Sequence, residues 1–434
     1  MSRSRLWMLP VLLAVLVAGG WYFGFRAKEN DRELPVYVTG AERMLAGEEI
    51  YRRGADAKPF TYPPFGAVPF VPMVPVPANW RAPVWFAVNF AILIVLARWL
   101  HGWARRGPPG ERPPRMVLFW VGTLLLGGHH IASVLSNQSH DLIIALLAWL
   151  AAWGCCRGGR WGWLVSGLAA GCGAAIKATP LLFLELFALR RRWLAIVGLV
   201  VAAVGLSLLP DLLFPRGDGR SWIVAWYEIN LSGLQVGGTA SAEGAWNAHS
   251  YLNQSLSGAL VRLFTPVVTT GAFVDEGVMI TALSPGVFKV LSLLLQLGVV
   301  GTIALGVLAI ARIEAGAADP VQERRTYGLA EVALIVGGMV LLSPQSSKSH
   351  FCVWIFAAAF LTDRLIKNPR DLVLWSLVVL SFLLGPMASK GIVGRDLGNK
   401  LLAIGNVTWS TWFSLLAVVR VCRVQARAHL GAAR

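Results

Sequence analysis

Charge is what this chain has least of: 14% of its 434 residues are Asp, Glu, Lys or Arg, against 56% hydrophobic. A water-bathed surface on a chain this long needs about 25% charged residues, so a soluble globular fold is excluded. Acidic residues are the scarcer sign, 23 against 39 basic ones. The resulting excess of +16 does not point to nucleic acid, because the basic residues sit in short clusters between apolar runs, the pattern of cytoplasmic loops. Five cysteines (Cys155, Cys156, Cys172, Cys352, Cys422) lie in or at the ends of apolar runs without zinc-site or disulfide spacing, and read as structural. The sequence shows no Gly-rich phosphate loop, no metal-binding histidine pair and no strand-like alternation, which removes nucleotide binding by a known short motif.

What remains is an all-α polytopic membrane protein. A crossing takes about 20 apolar residues. That rule places about twelve helices near 6–25, 82–101, 116–134, 139–156, 161–176, 179–190, 193–212, 285–312, 328–343, 351–366, 371–388 and 401–420. The first run follows Arg3 and Arg5 without a clean cleavage site and reads as an uncleaved signal-anchor with a cytoplasmic N-terminus. The clusters Arg105/Arg106/Arg112/Arg115, Arg157/Arg160, Arg190/Arg191/Arg192, Arg312/Arg324/Arg325, Arg364/Lys367/Arg370 and Arg420/Arg423/Arg427/Arg434 then fall on that same side. The segments 161–176 and 179–190 are short enough to form a broken or re-entrant pair, and 65–78, with Pro69, Pro72, Pro75 and Pro77, reads as interfacial or re-entrant. Two long connections, 26–81 and 213–284, occupy the opposite, outer face, the first with short juxtamembrane helices.

Ionisable groups at membrane depth are costly and become candidates by default. In this topology they gather at the outer face: Asp31 and Glu33, then Gln138, His140 and Asp141, then Lys177, then Asn247, His249, Asn253 and Gln254, then Lys348 and His350. Each has a plainer reading as a helix cap, a packed histidine or a lysine reaching to lipid headgroups. Glu185 and Glu331 lie inside expected helices without an evident partner and read as bundle hydrogen-bonders. The nineteen tryptophans fit interface anchors.

Several ordered blocks resemble one family. They are Glu33-Leu-Pro-Val-Tyr37, Gly47-Glu-Glu-Ile-Tyr51 and Phe60-Thr-Tyr-Pro-Pro-Phe65, followed by Asn137-Gln-Ser-His-Asp141 and Ile176-Lys-Ala-Thr-Pro180. Asn253-Gln-Ser-Leu-Ser-Gly258 with Arg262, and Leu341-Leu-Ser-Pro344 with His350, complete the set. The chain resembles glycosyltransferase family 87, the polyprenyl-phosphate-mannose-dependent mannosyltransferases of the GT-C fold. Glu33 stands where the family has its catalytic Asp, with Asp31 two residues earlier; Ser343-Pro-Gln-Ser-Ser-Lys-Ser-His350 keeps the second His of the family's His-His and carries Lys348 at a neutral position.

The resemblance implies a single GT-C-like bundle over 1–434 in the plasma (inner) membrane, both termini cytoplasmic. It implies transfer of a hexose, mannose first, from a polyprenyl-phosphate sugar to a lipid-linked or glycan acceptor on the outer face. Direct attack inverts the anomeric centre, with Glu33 (or Asp31) as base and His350 beside it. Lys177, Lys348, Arg262 and Gln138 are expected at the donor phosphate, and Tyr37, Tyr62, Asn253, Gln254 and His140 along the substrate pocket. No cofactor or metal is called for, since a single-phosphate leaving group does not oblige one and no Asp-x-Asp cluster occurs. The rival reading, a transporter or lipid flippase, would favour internal repeats, which are not visible, and a polar set at the midplane.

Overall fold

The computed structural model describes residues 18–19, 22, 32–52, 59–106, 114–234, 238–239, 245–268, 271 and 273–432. Most of the first apolar run, and Asp31, lie outside the described residues. Beyond one isolated bridge between Ser250 and Val274, the regular structure among them is helical. The main helices in chain order are α1 (Leu34–Leu45), α2 (Ala78–Arg105), α3 (Met116–Asn137), α4 (Asp141–Arg157), α5 (Gly159–Ile176), α6 (Phe183–Leu189) and α7 (Trp193–Leu213). After them come α8 (Leu256–Phe264), α9 (Pro285–Gly316), α10 (Pro320–Leu342), α11 (Ile355–Lys367), α12 (Leu372–Leu384), α13 (Arg395–Ile404) and α14 (Asn406–Ala432).

Seven described segments are long and apolar enough to cross a membrane: α2, α3, α7, α9, α10, the run Lys348–Lys367 that ends in α11, and α14. With the shorter apolar helices Thr179–Leu189 and Leu372–Leu384, they make the chain a polytopic membrane protein. Several expected segments shift. The proline-studded stretch forms a 3₁₀ helix, Pro64–Met73, because Pro69 and Pro72 deny it α-helical hydrogen bonds. The expected helix 401–420 is instead two, parted at Gly405.

Helix α10 is the central post, buried without interruption from Thr326 to Leu341 and packed by α4, α9, α11 and α14. Outward faces of α3, α7 and α9 are apolar and exposed, for example Val121, Leu125, Val197, Val204, Leu294 and Leu297, as a lipid-facing surface requires. Small residues set the closest helix approach. Gly167 and Gly171 lie four apart on α5, and a Cβ on either would stand 2.1 Å from the Ala195 carbonyl oxygen or 2.3 Å from that of Leu199 on α7. Backbone contact of this kind is how helices gain packing where the solvent is itself apolar.

Glu331, without an evident partner in the sequence, is paired. Arg192 Nη1 lies 2.9 Å and Arg190 Nε 2.8 Å from its oxygens, and Arg190 Nη2 is 2.5 Å from Glu314. Two arginines counted above as loop markers thus turn inward, since a fully buried carboxylate needs a counter-charge. Arg191, between them, stays exposed. Glu185 differs: neither of its carboxylate oxygens has a hydrogen-bond partner among the described residues.

The two long connections form one cap. Arg216 Nη1 pairs with Glu49 at 2.9 Å, Trp226 Nε1 donates to the Thr61 carbonyl at 3.1 Å, and the Gly217 N–H donates to the Gly47 carbonyl at 2.8 Å. Gly47 has φ +67°, and a Cβ there would meet Gly217 N and the Pro215 carbonyl oxygen at 3.1 Å. Arg81 then ties α1 to the start of α2 through Glu42, at 2.9 Å, and the carbonyls of Val74 and Val76, at 3.0 Å.

Candidate active site

A three-residue turn links α3 to α4 and carries the site. Gln138 closes α3 in the left-handed region (φ 55°, ψ 37°), a conformation that non-glycine residues hold only where their surroundings compel it. Here Trp85 Nε1 donates to the Gln138 carbonyl at 3.0 Å, and the residue is buried. Helix α3 ends with carbonyls that lack partners in their own helix. The start of α1 supplies them: Glu33 N–H donates to the Asn137 carbonyl at 3.0 Å, and Arg32 to that of Ser136. Glu33, half-buried at the head of α1, is fixed beside the Gln138–Asp141 turn.

Asp141, the first residue of α4, is the centre of the polar cluster. Lys177 Nζ, from the end of α5, lies 2.6 Å from Asp141 Oδ1, and both side chains are nearly closed to solvent. The Ser139 hydroxyl donates to Oδ2. His350 Nδ1 accepts the Ser347 backbone N–H at 3.3 Å, which puts the ring proton on Nε2, 3.9 Å from Asp141 Oδ2. Asp141, Lys177 and His350 enclose only about 10 Å³, room for about one water. A larger ligand must sit against this cluster, not inside it.

Aromatic rings form the adjoining wall. The His140 ring is met edge-on by Tyr62 at 4.5 Å and Tyr37 at 4.7 Å, and the Tyr62 ring lies 5.7 Å from Lys177 Nζ. Burial, then the neighbouring Glu33 and Asp141 carboxylates, hold the Tyr62 hydroxyl well above its ordinary pKa, so it remains a neutral donor. Burial pushes His140 down to about 3, leaving it neutral. Both His140 ring nitrogens are buried without a hydrogen-bond partner among the described residues.

The structure therefore gathers Gln138, His140, Lys177, His350, Tyr37 and Tyr62 around Asp141, with Glu33 joined through the α3 terminus. It does not bring the other expected residues to this cluster. Lys348 sits two residues before His350 in the 3₁₀ segment Lys348–Trp354, where three residues make a turn and i and i+2 diverge. Its carbonyl instead meets His130 Nδ1 at 3.2 Å. Arg262 is buried, its guanidinium donating to the carbonyls of Ala403 (2.7 Å), Asn253 (2.7 Å), Ser250 (2.9 Å) and Leu402 (3.4 Å). Asn253 holds the turn before His350: its Oδ1 accepts the Ser346 N–H at 3.0 Å and its Nδ2 donates to the Pro344 carbonyl at 3.0 Å. Gln254 donates to the Tyr251 and Leu402 carbonyls, each at 2.7 Å. These three residues brace the loop backbone. Asp141 was visible as one member of the outer polar set and as the end of the Asn137–Asp141 block, without a role of its own; its pairing with Lys177, 36 residues away, follows no spacing rule.

Comparison with known proteins bears on what this geometry serves. The profile of glycosyltransferase family 87 matches residues 60–344, a stretch that includes Asp141 and Lys177 and stops short of Glu33 and His350. The chain is 27% identical over 289 residues to a polyprenol-phosphate-mannose-dependent alpha-(1-2)-phosphatidylinositol pentamannoside mannosyltransferase of Mycolicibacterium smegmatis, covering 64% of each. It is 33% identical over 215 residues to the protein of that description in Mycobacterium tuberculosis, covering 46% of this chain and 47% of the relative. A Mycobacterium tuberculosis phosphatidylinositol mannoside mannosyltransferase of the same donor dependence is 28% identical over 282 residues, 61% of each. The chain thus spans less than two thirds of the length of these relatives. No solved structure matches it.

Proposed function

The chain belongs to glycosyltransferase family 87, and from that premise we propose that it moves a mannosyl group from a polyprenyl-phosphate-mannose donor to a lipid-linked acceptor at the membrane surface. The observation that carries the reading is the buried Asp141–Lys177 pair with His350, walled by Tyr37, Tyr62 and His140 and flanked by Glu33. Similarity to phosphatidylinositol mannoside mannosyltransferases supports a lipid acceptor of that class, and the loop cap over the cluster supports an outer-face reaction.

Glu33 is the general base. Both Asp141 oxygens are already engaged, by Lys177 and Ser139, so Asp141 serves as an anchor. The acceptor oxygen bonds to the anomeric carbon as the bond from that carbon to the phosphate oxygen breaks, and the configuration inverts. The hydroxyl proton passes to Glu33, and the electron pair leaves with the polyprenyl phosphate. An ammonium has three donors; Asp141 fixes one on Lys177, which aims the group toward the phosphate, where its attraction grows as charge develops. His350 Nε2–H and the neutral Tyr62 hydroxyl donate alongside it. Asn253, Gln254 and Arg262 act as positioning residues through the His350 loop.

The test supplies membranes carrying the chain with radiolabelled polyprenyl-phosphate mannose and a phosphatidylinositol mannoside. Transfer is expected, and Glu33→Gln should lower it at least ~10²-fold while donor retention is unchanged, the size of a lost general base. Full transfer by Glu33→Gln with loss in Asp31→Asn would move the base two residues upstream. No mannosyl transfer by the wild-type chain would remove the reading.

A further inference from the structure

Helix α4 starts at Asp141 and ends at Arg157, so its far end lies about 24 Å from the candidate active site. There α2, α4, α10 and α11 surround a cavity of about 770 Å³. Among the described residues its wall presents six cations, Arg98, Arg106, Arg157, Arg325, Arg364 and Lys367. Among the described residues of that lining the only carboxylate is Asp363, and it is already taken, with Arg364 Nη2 at 2.5 Å and Lys367 Nζ at 3.2 Å. Among the described residues, Arg98, Arg106, Arg157 and Arg325 have no carboxylate partner.

Three tryptophans share the wall. Trp103 Nε1 donates to the Arg325 carbonyl at 3.1 Å, the Arg157 guanidinium lies 5.2 Å over the Trp153 ring, and Trp99 lines the same space. Loop-charge bias accounts for basic residues at this end of the bundle. It does not account for the convergence of six on one cavity, since Arg105 and Arg160 satisfy the same bias from outside that lining.

We propose that this cavity is a binding site for a phosphate group, carried by an anionic lipid. Guanidinium forks bind phosphate oxygens two at a time, and basic pockets between spanning helices suit anionic headgroups. A volume of several hundred Å³ holds a headgroup and its glycerol, and the indole rings match the headgroup level of a bilayer. A free phosphate ion offers the same charge but has no use for the aromatic wall. The site stands independently of the transferase reading.

The full chain, purified in detergent, is exposed to vesicles of phosphatidylglycerol or of phosphatidylcholine, and retained lipid is counted by native mass spectrometry. The expected result is a preference for phosphatidylglycerol that falls at least about tenfold in Arg98→Gln/Arg157→Gln/Arg325→Gln, but not in Lys289→Gln/Arg395→Gln, which removes two exposed charges elsewhere. Equal retention of the two lipids by the wild type, or an unchanged preference in the triple variant, overturns the proposal. Millimolar inorganic phosphate separates the sources: failure to displace phosphatidylglycerol supports the lipid, and displacement overturns the lipid assignment in favour of the free ion. A second measurement needs no variant. Cys156 lines the cavity, so phosphatidylglycerol should slow its alkylation by N-ethylmaleimide while phosphatidylcholine does not, and an unchanged rate again overturns the site.

Discussion

At the scale of single residues, the buried pair at the site makes a prediction of its own. Lys177 and Asp141 are 10% and 4% exposed, so removing one strands the other in a low-dielectric setting. Breaking a buried pair from one side costs about 3–5 kcal/mol, whereas replacing both partners by uncharged groups costs far less. Lys177→Met should therefore lower the unfolding temperature in detergent more than Lys177→Met combined with Asp141→Asn. Additive losses in the double variant would show that the two charges do not depend on each other. Lys177 and His350 were legible as candidates because a charge or imidazole at a helix end in so apolar a sequence is rare. The sequence does not separate Lys348 from His350, because the divergence of residues two apart depends on the 3₁₀ geometry they adopt.

At the scale of helices, the closest contact is the α5–α7 crossing at Gly167 and Gly171. Gly171→Val would drive side-chain atoms into the Leu199 carbonyl and the Ala202 methyl. Overpacking of this kind costs about 1–3 kcal/mol. The unfolding temperature should drop, while Gly205→Ala, where a Cβ meets nothing within 4 Å, should leave it level or higher. Equal stability of the two variants would mean that the crossing does not depend on glycine. Helix positions were legible from hydropathy to within a few residues in most cases, as with 193–212 against Trp193–Leu213. Ends were less so: α10 begins at Pro320, several residues before the expected 328, because Asp319 caps a polar, largely exposed start, Pro320 to Arg325, that an apolar run does not register.

At the scale of the whole molecule, the arginine clusters and apolar runs predict that Arg160 and Glu276 face opposite sides of the membrane. In a chain whose Cys156 and Cys172 are replaced by serine, an impermeant thiol reagent added from outside should label Glu276→Cys and leave Arg160→Cys untouched. Labelling of both from one side would refute the topology. The sequence by itself determined that the chain lies in a membrane, roughly where its helices run, and which rare ionisable groups deserved suspicion. Those properties are local, written in runs of about 20 residues. Only the tertiary structure decided which groups meet: Asp141 with Lys177 across 36 residues, Arg192 with Glu331 across 139, and Arg262 with carbonyls up to 141 residues away. Such pairings arise from helix packing, where the cost of a lone buried charge selects the partner, and no periodicity in the sequence records which helix will stand beside which.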